Sequence, residues 1–303
     1  MTKHFIEYLL TAALAVMTAQ SCVSKIDPIF DESSANRVEA LAERLNETLT
    51  GAPNGWLLEY YPSSGQYYGG FNVFLSFREG NKVKAGSEVA GKGKTATSTY
   101  SIYQSAGCVL TLDTYNEVMH YFADPETTGG QGAGFGFEGD FEFNVLDLQD
   151  EKITLKGRKT GSTMTMTPMP VSMSWDDYIV ALKEEESAIS KHTRIRYQTA
   201  DNKYDGRING RTLEIFSEVD GEQVTTSYPF IFNLMGVTFY KPLELGDERI
   251  DGLVYNPDMA DGGAFIPVND GAEGYFVPTY PTITDYLMDK NWFFSYKGLS
   301  DYC

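Results

Sequence analysis

From Trp56 onward, apolar residues fall at every second position. Leu58 and Tyr60 are followed by Phe71, Val73, Leu75 and Phe77, and further on by Phe141, Phe143 and Val145, Ile153 and Leu155, Met164 and Met166. A period of two is the signature of strands that bury one face. The links Glu79-Gly80-Asn81-Lys82, Gln149-Asp150-Glu151-Lys152 and Thr160-Gly161-Ser162 are short and polar, so consecutive strands are neighbours in antiparallel meanders. Further strands are predicted at 83–88, 99–104, 108–113, 212–219, 227–233, 237–240 and 250–255, with Asp220-Gly221 as a hairpin turn. Residues 91–98 and the Gly-, Asp- and Pro-rich stretch 257–281 are predicted as loops. The period changes to helical in two places. Val38, Leu41, Leu45 and Leu49 share one face behind a Ser33 or Ser34 cap, ending at Gly51 and Pro53, and Trp175, Tyr178, Ile179 and Leu182 follow a Ser174 cap. Residues 115–122 suit a helical turn or two, and 282–288 a short helix. The two halves resemble each other in style. The expected fold is mainly β with a few helices, built from antiparallel meanders that form one or two lipocalin-like half-barrels or a sandwich, with an N-terminal helix.

The segment before this pattern is of another kind. Lys3 gives a positive start, Leu9 to Met17 an apolar run, and the chain then narrows to Ala19-Gln20-Ser21-Cys22. This is the layout of an export signal, and the run is shorter than the ~20 apolar residues of a membrane span. Small residues before a lone cysteine resemble the lipobox of bacterial lipoproteins, although Ala19 stands where Leu is usual. That resemblance implies that Cys22 is lipidated, the alternative being an ordinary cleaved signal with an unrelated cysteine. Val23 after the cysteine lacks the Asp associated with inner-membrane retention, so an outer-membrane anchor facing the periplasm or the exterior is expected. The chain then divides into a signal (1–21), a tether (22–33), an N-terminal β-rich domain (34–170), and a helix with a C-terminal β-rich part (171–303).

Charge narrows the partners. With 42 acidic against 24 basic side chains the net charge is −18. Such a body repels nucleic acid backbones and anionic headgroups, so no nucleic acid partner is expected and the membrane is held through acyl chains alone. Cys108 and Cys303 either pair as a disulfide in an oxidising envelope or stay as two thiols, since sequence supplies no distance between them.

Candidate catalytic chemistry is sparse. Only His120 and His192 follow the signal, without a His-Glu-x-x-His run or a Gly-x-Ser-x-Gly elbow. Asp140 and Glu142 read as a solvated strand face. Asp258, Asp261 and Asp270 around Gly262-Gly263 do not match the spacing of a calcium loop. No catalytic residue, metal or cofactor is therefore assigned. Exposed aromatics are the better lead. Tyr60, Tyr61, Tyr67 and Tyr68 bracket Ser63-Ser64-Gly65-Gln66, and Trp292, Phe293, Phe294 and Tyr296 crowd the C-terminus. Flat rings with polar tips suit sugars or peptide segments, and strand packing is the competing use of the same residues. Tyr67, Tyr68, Trp292 and Tyr296 are the candidate ligand contacts.

Several longer runs carry a resemblance. Ala52-Pro53-Asn54-Gly55-Trp56 with Glu59-Tyr60-Tyr61-Pro62, Gly70 to Leu75, Asp113 to Asn116, His120 to Pro125, and Gly139 to Phe143 with Leu155-Lys156-Gly157 together resemble DUF4302, a domain found in lipoproteins of Bacteroidetes. The resemblance runs from the signal to about Pro170 and more loosely beyond. It brings no established activity. It implies a neighbourhood of outer-membrane nutrient uptake systems, and hence an uptake transporter as partner. The expectation is a non-catalytic, lipid-anchored envelope protein binding a glycan or peptide, or serving an uptake complex. A glycan-acting hydrolase with unassigned carboxylates and a structural or adhesive lipoprotein are the alternatives.

Overall fold

The computed structural model describes residues 34–126, 134–199, 203–219, 221–260, 262–269 and 271–280. Helix α1 (Ser34–Gly51) leads into eight strands: β1 (Trp56–Tyr60), β2 (Phe71–Arg78), β3 (Lys82–Ser87), β4 (Thr95–Gln104), β5 (Cys108–Leu112), β6 (Glu142–Gln149), β7 (Lys152–Gly157) and β8 (Thr163–Pro168). The short helix α2 (Glu117–His120) lies between β5 and β6. Each strand pairs antiparallel with the next, and β8 returns to β1 through Leu58↔Met166, closing a barrel. Helix α3 (Trp175–Ile189) then precedes a second set: β9 (Arg194–Gln198), β10 (Lys203–Asn209), β11 (Thr212–Val219), β12 (Glu222–Asn233), β13 (Gly236–Leu245), β14 (Glu248–Asn256), β15 (Ala264–Pro267) and β16 (Tyr275–Pro278). Here β16 closes on β9 through Phe276↔Tyr197. The expected half-barrels are thus two complete eight-stranded barrels.

An eight-stranded barrel has an interior just wide enough for side chains to fill. The first is filled by the residues whose alternation predicted its strands, among them Trp56, Leu58, Tyr60, Val73, Leu75, Leu110, Phe143, Ile153, Leu155 and Met166. Leu45 and Leu49 of α1 join this core beside Trp56, whose indole donates to the Leu49 carbonyl at 3.0 Å. The far end of β1 is covered by the segment after β5, through Val118, Met119, Phe122 and Phe137. Asn116 caps α2 there, accepting from the Val118 and Met119 amides at 3.1 and 3.3 Å. Phe122 then reaches Tyr60 and Phe71 with ring centroids 4.8 and 5.2 Å away.

The second barrel encloses Ile195, Tyr197, Leu213, Ile215, Phe230, Phe232, Phe239, Leu253, Phe265 and Phe276. Ser174 caps α3 as its sequence predicts, accepting from the Asp177 amide. Tyr178, Ile179, Leu182 and Ile189 of α3 belong to this core, together with Phe74 from the outer face of β2. Phe74 is buried although it points out of its own barrel, stacking on Trp175 at 5.5 Å.

Four strands are missing from the predicted set, and β12 and β13 run further than predicted, over Glu222–Asn233 and Gly236–Leu245. β9 and β10 were not predicted, because the alternating pattern of β9 shows only Ile195 and Tyr197 as buried positions and β10 is largely polar. β15 and β16 fall inside the stretch predicted as loop. Each has four residues and ends in proline, too short to show a period among the flanking Gly and Asp. In addition β4 begins at Thr95, so Thr95–Ser98 is strand paired to β3 rather than loop. The predicted helix at 282–288 lies outside the described residues.

Candidate functional site

The two barrels meet along a seam that the chain keeps free of side chains at one point. A Cβ on Gly70 would stand 2.7 Å from the Ile231 Cβ, and the Gly70 amide donates to the Phe230 carbonyl at 2.9 Å. Only glycine lets the backbones approach so closely. Beside it sits a buried polar cluster. Arg211, in the turn just before β11, donates to the Gly70 carbonyl at 2.6 Å, to Glu88 Oε1 at 3.0 Å and to Glu186 Oε1 at 3.0 Å. Its guanidinium lies over the rings of Phe71 and Phe232, 4.6 and 5.0 Å from their centroids. The fully buried Glu88 side chain also accepts from the Asn72 amide at 2.8 Å. Asn72 in turn donates to the Phe232 carbonyl at 2.9 Å and accepts from the Tyr178 hydroxyl at 3.3 Å. Charge taken out of water is tolerated here through Glu88 Oε1, which is both paired and hydrogen-bonded, while Glu88 Oε2 is buried without a hydrogen-bond partner among the described residues.

Above Arg211 a cleft of about 1100 Å³ opens. One wall comes from the β1–β2 loop, with Gln66, Tyr67 and Tyr68, together with Phe71 and Phe137. The other comes from the second barrel, with Thr212, Glu214, Thr226, Ser227, Tyr228, Tyr240, Lys241 and Glu244. The loop is held in a fixed form. Ser63 and Gln66 adopt left-handed backbone, φ 61° and 51°, which non-glycine residues keep only under constraint. The constraint is visible: Ser162 Oγ donates to the Ser63 carbonyl at 2.7 Å, Gln66 Nε2 donates to Ser162 Oγ at 3.0 Å, and Ser63 Oγ accepts from the Tyr67 amide at 3.2 Å. Gly65 makes room for the Tyr67 ring, which an added Cβ would meet at 2.3 Å. Tyr67 therefore stands 67% exposed on a pinned loop. Tyr68 leans on Phe137, with ring centroids 5.1 Å apart. At the cleft's foot Tyr240 packs on Tyr61 at 4.7 Å and accepts from the Thr163 amide at 3.0 Å.

Two of the four predicted ligand contacts, Tyr67 and Tyr68, thus share the cleft. Trp292 and Tyr296 lie outside the described residues, as do Cys22, Cys303, Asp261 and Asp270. Cys108 is buried in β5, and burial pushes its thiol up. Among the described residues no group of His, Cys, Asp and Glu is placed to hold a metal ion. His120 stacks on Phe141 with centroids 4.8 Å apart, and His192 meets the Tyr255 hydroxyl at 2.9 Å. Asp140 corrects its reading as a solvated strand residue. It precedes β6, is buried, and accepts from the Lys159 and Thr160 amides at 2.7 and 3.1 Å, tying down the β7–β8 turn. Its neighbour Phe141 is the partly exposed one. A second concavity of about 1080 Å³ is bordered by Arg196 and Arg207, whose charges are spent on Asp205 and Glu214, each at 2.6 Å.

The second barrel's share of the cleft escaped the sequence reading. Arg211 follows the Asn209-Gly210 turn, and Pro229 and Pro242 interrupt strands that border the cleft. Those prolines were the available signal, since proline inside a sheet marks an edge or an irregularity.

The fold and cleft define a double-barrel protein with an aromatic groove at the seam. Over residues 26–257 the chain matches DUF4302, a domain of unknown function, and it belongs to that family. The match takes in the first barrel and most of the second, ending before β15. Neither the curated proteins nor the solved structures contain a match to the chain.

Proposed function

We propose that the chain is a non-catalytic binding protein of the cell envelope, held to the outer membrane through lipid on Cys22. It faces the periplasm or the exterior and takes a glycan or peptide segment into the seam cleft, on its own or in the service of an uptake transporter. One observation carries the binding reading: a cleft of about 1100 Å³ with Tyr67 projected into it from a rigid loop. Preformed concave sites lined by aromatic rings and a few polar groups suit small ligands and chain segments. A pinned tyrosine also loses little rotamer freedom on binding. The carboxylate Glu214 accepts from Arg207 at 2.6 Å and from Asn209 at 3.3 Å, which favours a structural over a catalytic part for it.

The test is binding of the labelled chain to glycan and peptide arrays, repeated with Tyr67→Ala. Loss of about tenfold or more in affinity is expected, without loss of stability. Retained binding by the variant, or no binding to either array, overturns the reading of the cleft. The anchor is tested separately by mass spectrometry of the mature N-terminus, where an unmodified Cys22 removes the lipid.

A further inference from the structure

Among the described residues, the cleft borders an open strand edge. β12 joins β13 only over its last four residues, from Phe230↔Phe239 to Asn233↔Gly236. Along Glu222–Pro229, β11 is its partner among the described strands. β13 departs in the other direction, its pairing with β14 shifting register between Thr238 and Leu243. Pro229 and Pro242 stand where the two strands part, and neither can donate a ladder bond. The hydrogen-bonding parity of β12 follows from Phe230, whose amide donates to the Arg211 carbonyl on the β11 side at 2.9 Å. Successive residues of a strand direct their amides to opposite sides. The even-numbered residues of β12 therefore serve β11, and the N–H and C=O groups of Gln223, Thr225 and Ser227 face the open side.

Soluble proteins blunt such edges with lysines, inward charges, bulges or cover. Gln223-Val224-Thr225-Thr226-Ser227 carries no charge, is exposed throughout, and has high strand propensity. Its inner end lies in the cleft, where the Tyr228 hydroxyl spans to the Glu244 carbonyl at 3.5 Å, a contact at the limit of a hydrogen bond. A row of alternate free donors and acceptors is matched by another extended backbone, which a sugar cannot reproduce. Two copies of this chain, each with a net charge of −18, repel one another, so a foreign segment of neutral or basic character is favoured over self-pairing.

Building on the reading of the cleft as a binding site, we propose that its ligand is an extended polypeptide segment. The segment adds as a strand to the open edge of β12, with its flank against Tyr67 and Tyr228. About six residues, or roughly 20 Å of strand, match the edge.

The test uses peptide and glycan arrays with the purified chain, Ser227→Pro, Thr225→Pro and Tyr67→Ala. Proline at 225 or 227 removes a donor that faces outward and leaves the β11 ladder whole, so melting should be unchanged while affinity for the peptides bound falls about tenfold. The bound peptides should be extended, poor in Asp and Glu, and weakened by N-methylation at alternate positions. Peptide binding lost in Tyr67→Ala but intact in both proline variants overturns strand addition and leaves the cleft reading standing. Binding to glycans alone does the same, and binding to neither array overturns both. Amide exchange decides independently of any variant's folding. In the free chain Gln223, Thr225 and Ser227 should exchange fast and Val224 and Thr226 slowly, with the fast set slowed by an array-selected peptide. Protection of the odd set in the free chain, or dimers whose formation protects them, refutes a foreign strand.

Discussion

Replacing Arg211 with Met probes what holds the barrels together. In the native chain the Arg211 side chain is 10% exposed and its partner Glu88 is fully buried, with 3.0 Å between guanidinium and carboxylate. The substitution leaves Glu88 with the Asn72 amide at 2.8 Å and no compensating cation. Removing one member of a buried pair costs about 3–5 kcal/mol, because the charge left behind has no solvent. Glu88 keeps one charge-assisted bond and Met retains apolar contact with Phe71 and Phe232, so the lower end, about 3 kcal/mol, applies here. Glu88→Met alone should cost less, since Arg211 keeps the Gly70 carbonyl and Glu186. The double variant removes the buried pair but leaves the Asn72 amide and the Gly70 carbonyl without these partners, so it should recover part of the loss and stay about 1–2 kcal/mol below the native chain. Urea unfolding, followed by circular dichroism and by tryptophan fluorescence, completes the cycle. An Arg211→Met loss below about 1 kcal/mol would refute the reasoning. A double variant weaker than Arg211→Met would refute it equally.

Three further outcomes are expected. Tyr60→Phe removes a buried hydroxyl that donates to the Asp140 carbonyl at 2.8 Å and accepts from the Asp140 amide at 2.6 Å, and thermal melting should register a loss of about 1–3 kcal/mol. Burial, and then the neighbouring Lys191, lower the pKa of His192 from 6.5. The unfolded chain therefore takes up this proton first, and the contribution of His192 is complete above pH 6.5 and declines as pH falls below it. His192→Gln should flatten the melting profile on the acid side, and an unchanged slope contradicts the assignment. Burial raises the pKa of Glu59 from 4.5 against the opposing pull of Lys152. The folded chain then holds this proton longer, so stability falls as pH rises from 4.5 through the raised value. Glu59→Gln should accordingly melt higher than the native chain at neutral pH and lose that advantage in acid.

The first barrel was legible because its strands are long, alternate cleanly, and are joined by turns with their own chemistry. Phe71-Asn72-Val73-Phe74-Leu75 shows both the signal and its limit. The alternation assigns the strand, yet the burial of Asn72 and Phe74 on the opposite face comes from α3 and the second barrel, contacts that no local window contains. β15 and β16 stayed hidden because four residues ending in proline leave a period too little length to appear. The candidate site was half legible. Tyr67 and Tyr68 stood out as polar-tipped rings around a Gly-containing loop. Arg211, Tyr228 and Tyr240 did not, because only the closing of the second barrel brings them opposite that loop. Asp140 was misplaced for a related reason: a carboxylate beside a strand reads as solvated until the turn that it ties down is folded against it.

The separation of Glu88 from Arg211 along the chain, 123 residues, permits assembly in two stages. Every strand of the first barrel lies N-terminal to α3, and each pairs with a sequence neighbour apart from the β8–β1 closure, so that barrel can complete before its counterpart exists. Until Arg211 arrives Glu88 remains hydrated, and its dehydration becomes a late, joint event. Mutations at this contact should slow or undo the final docking while leaving the earlier barrel intact, separating a defect of union from a defect of folding.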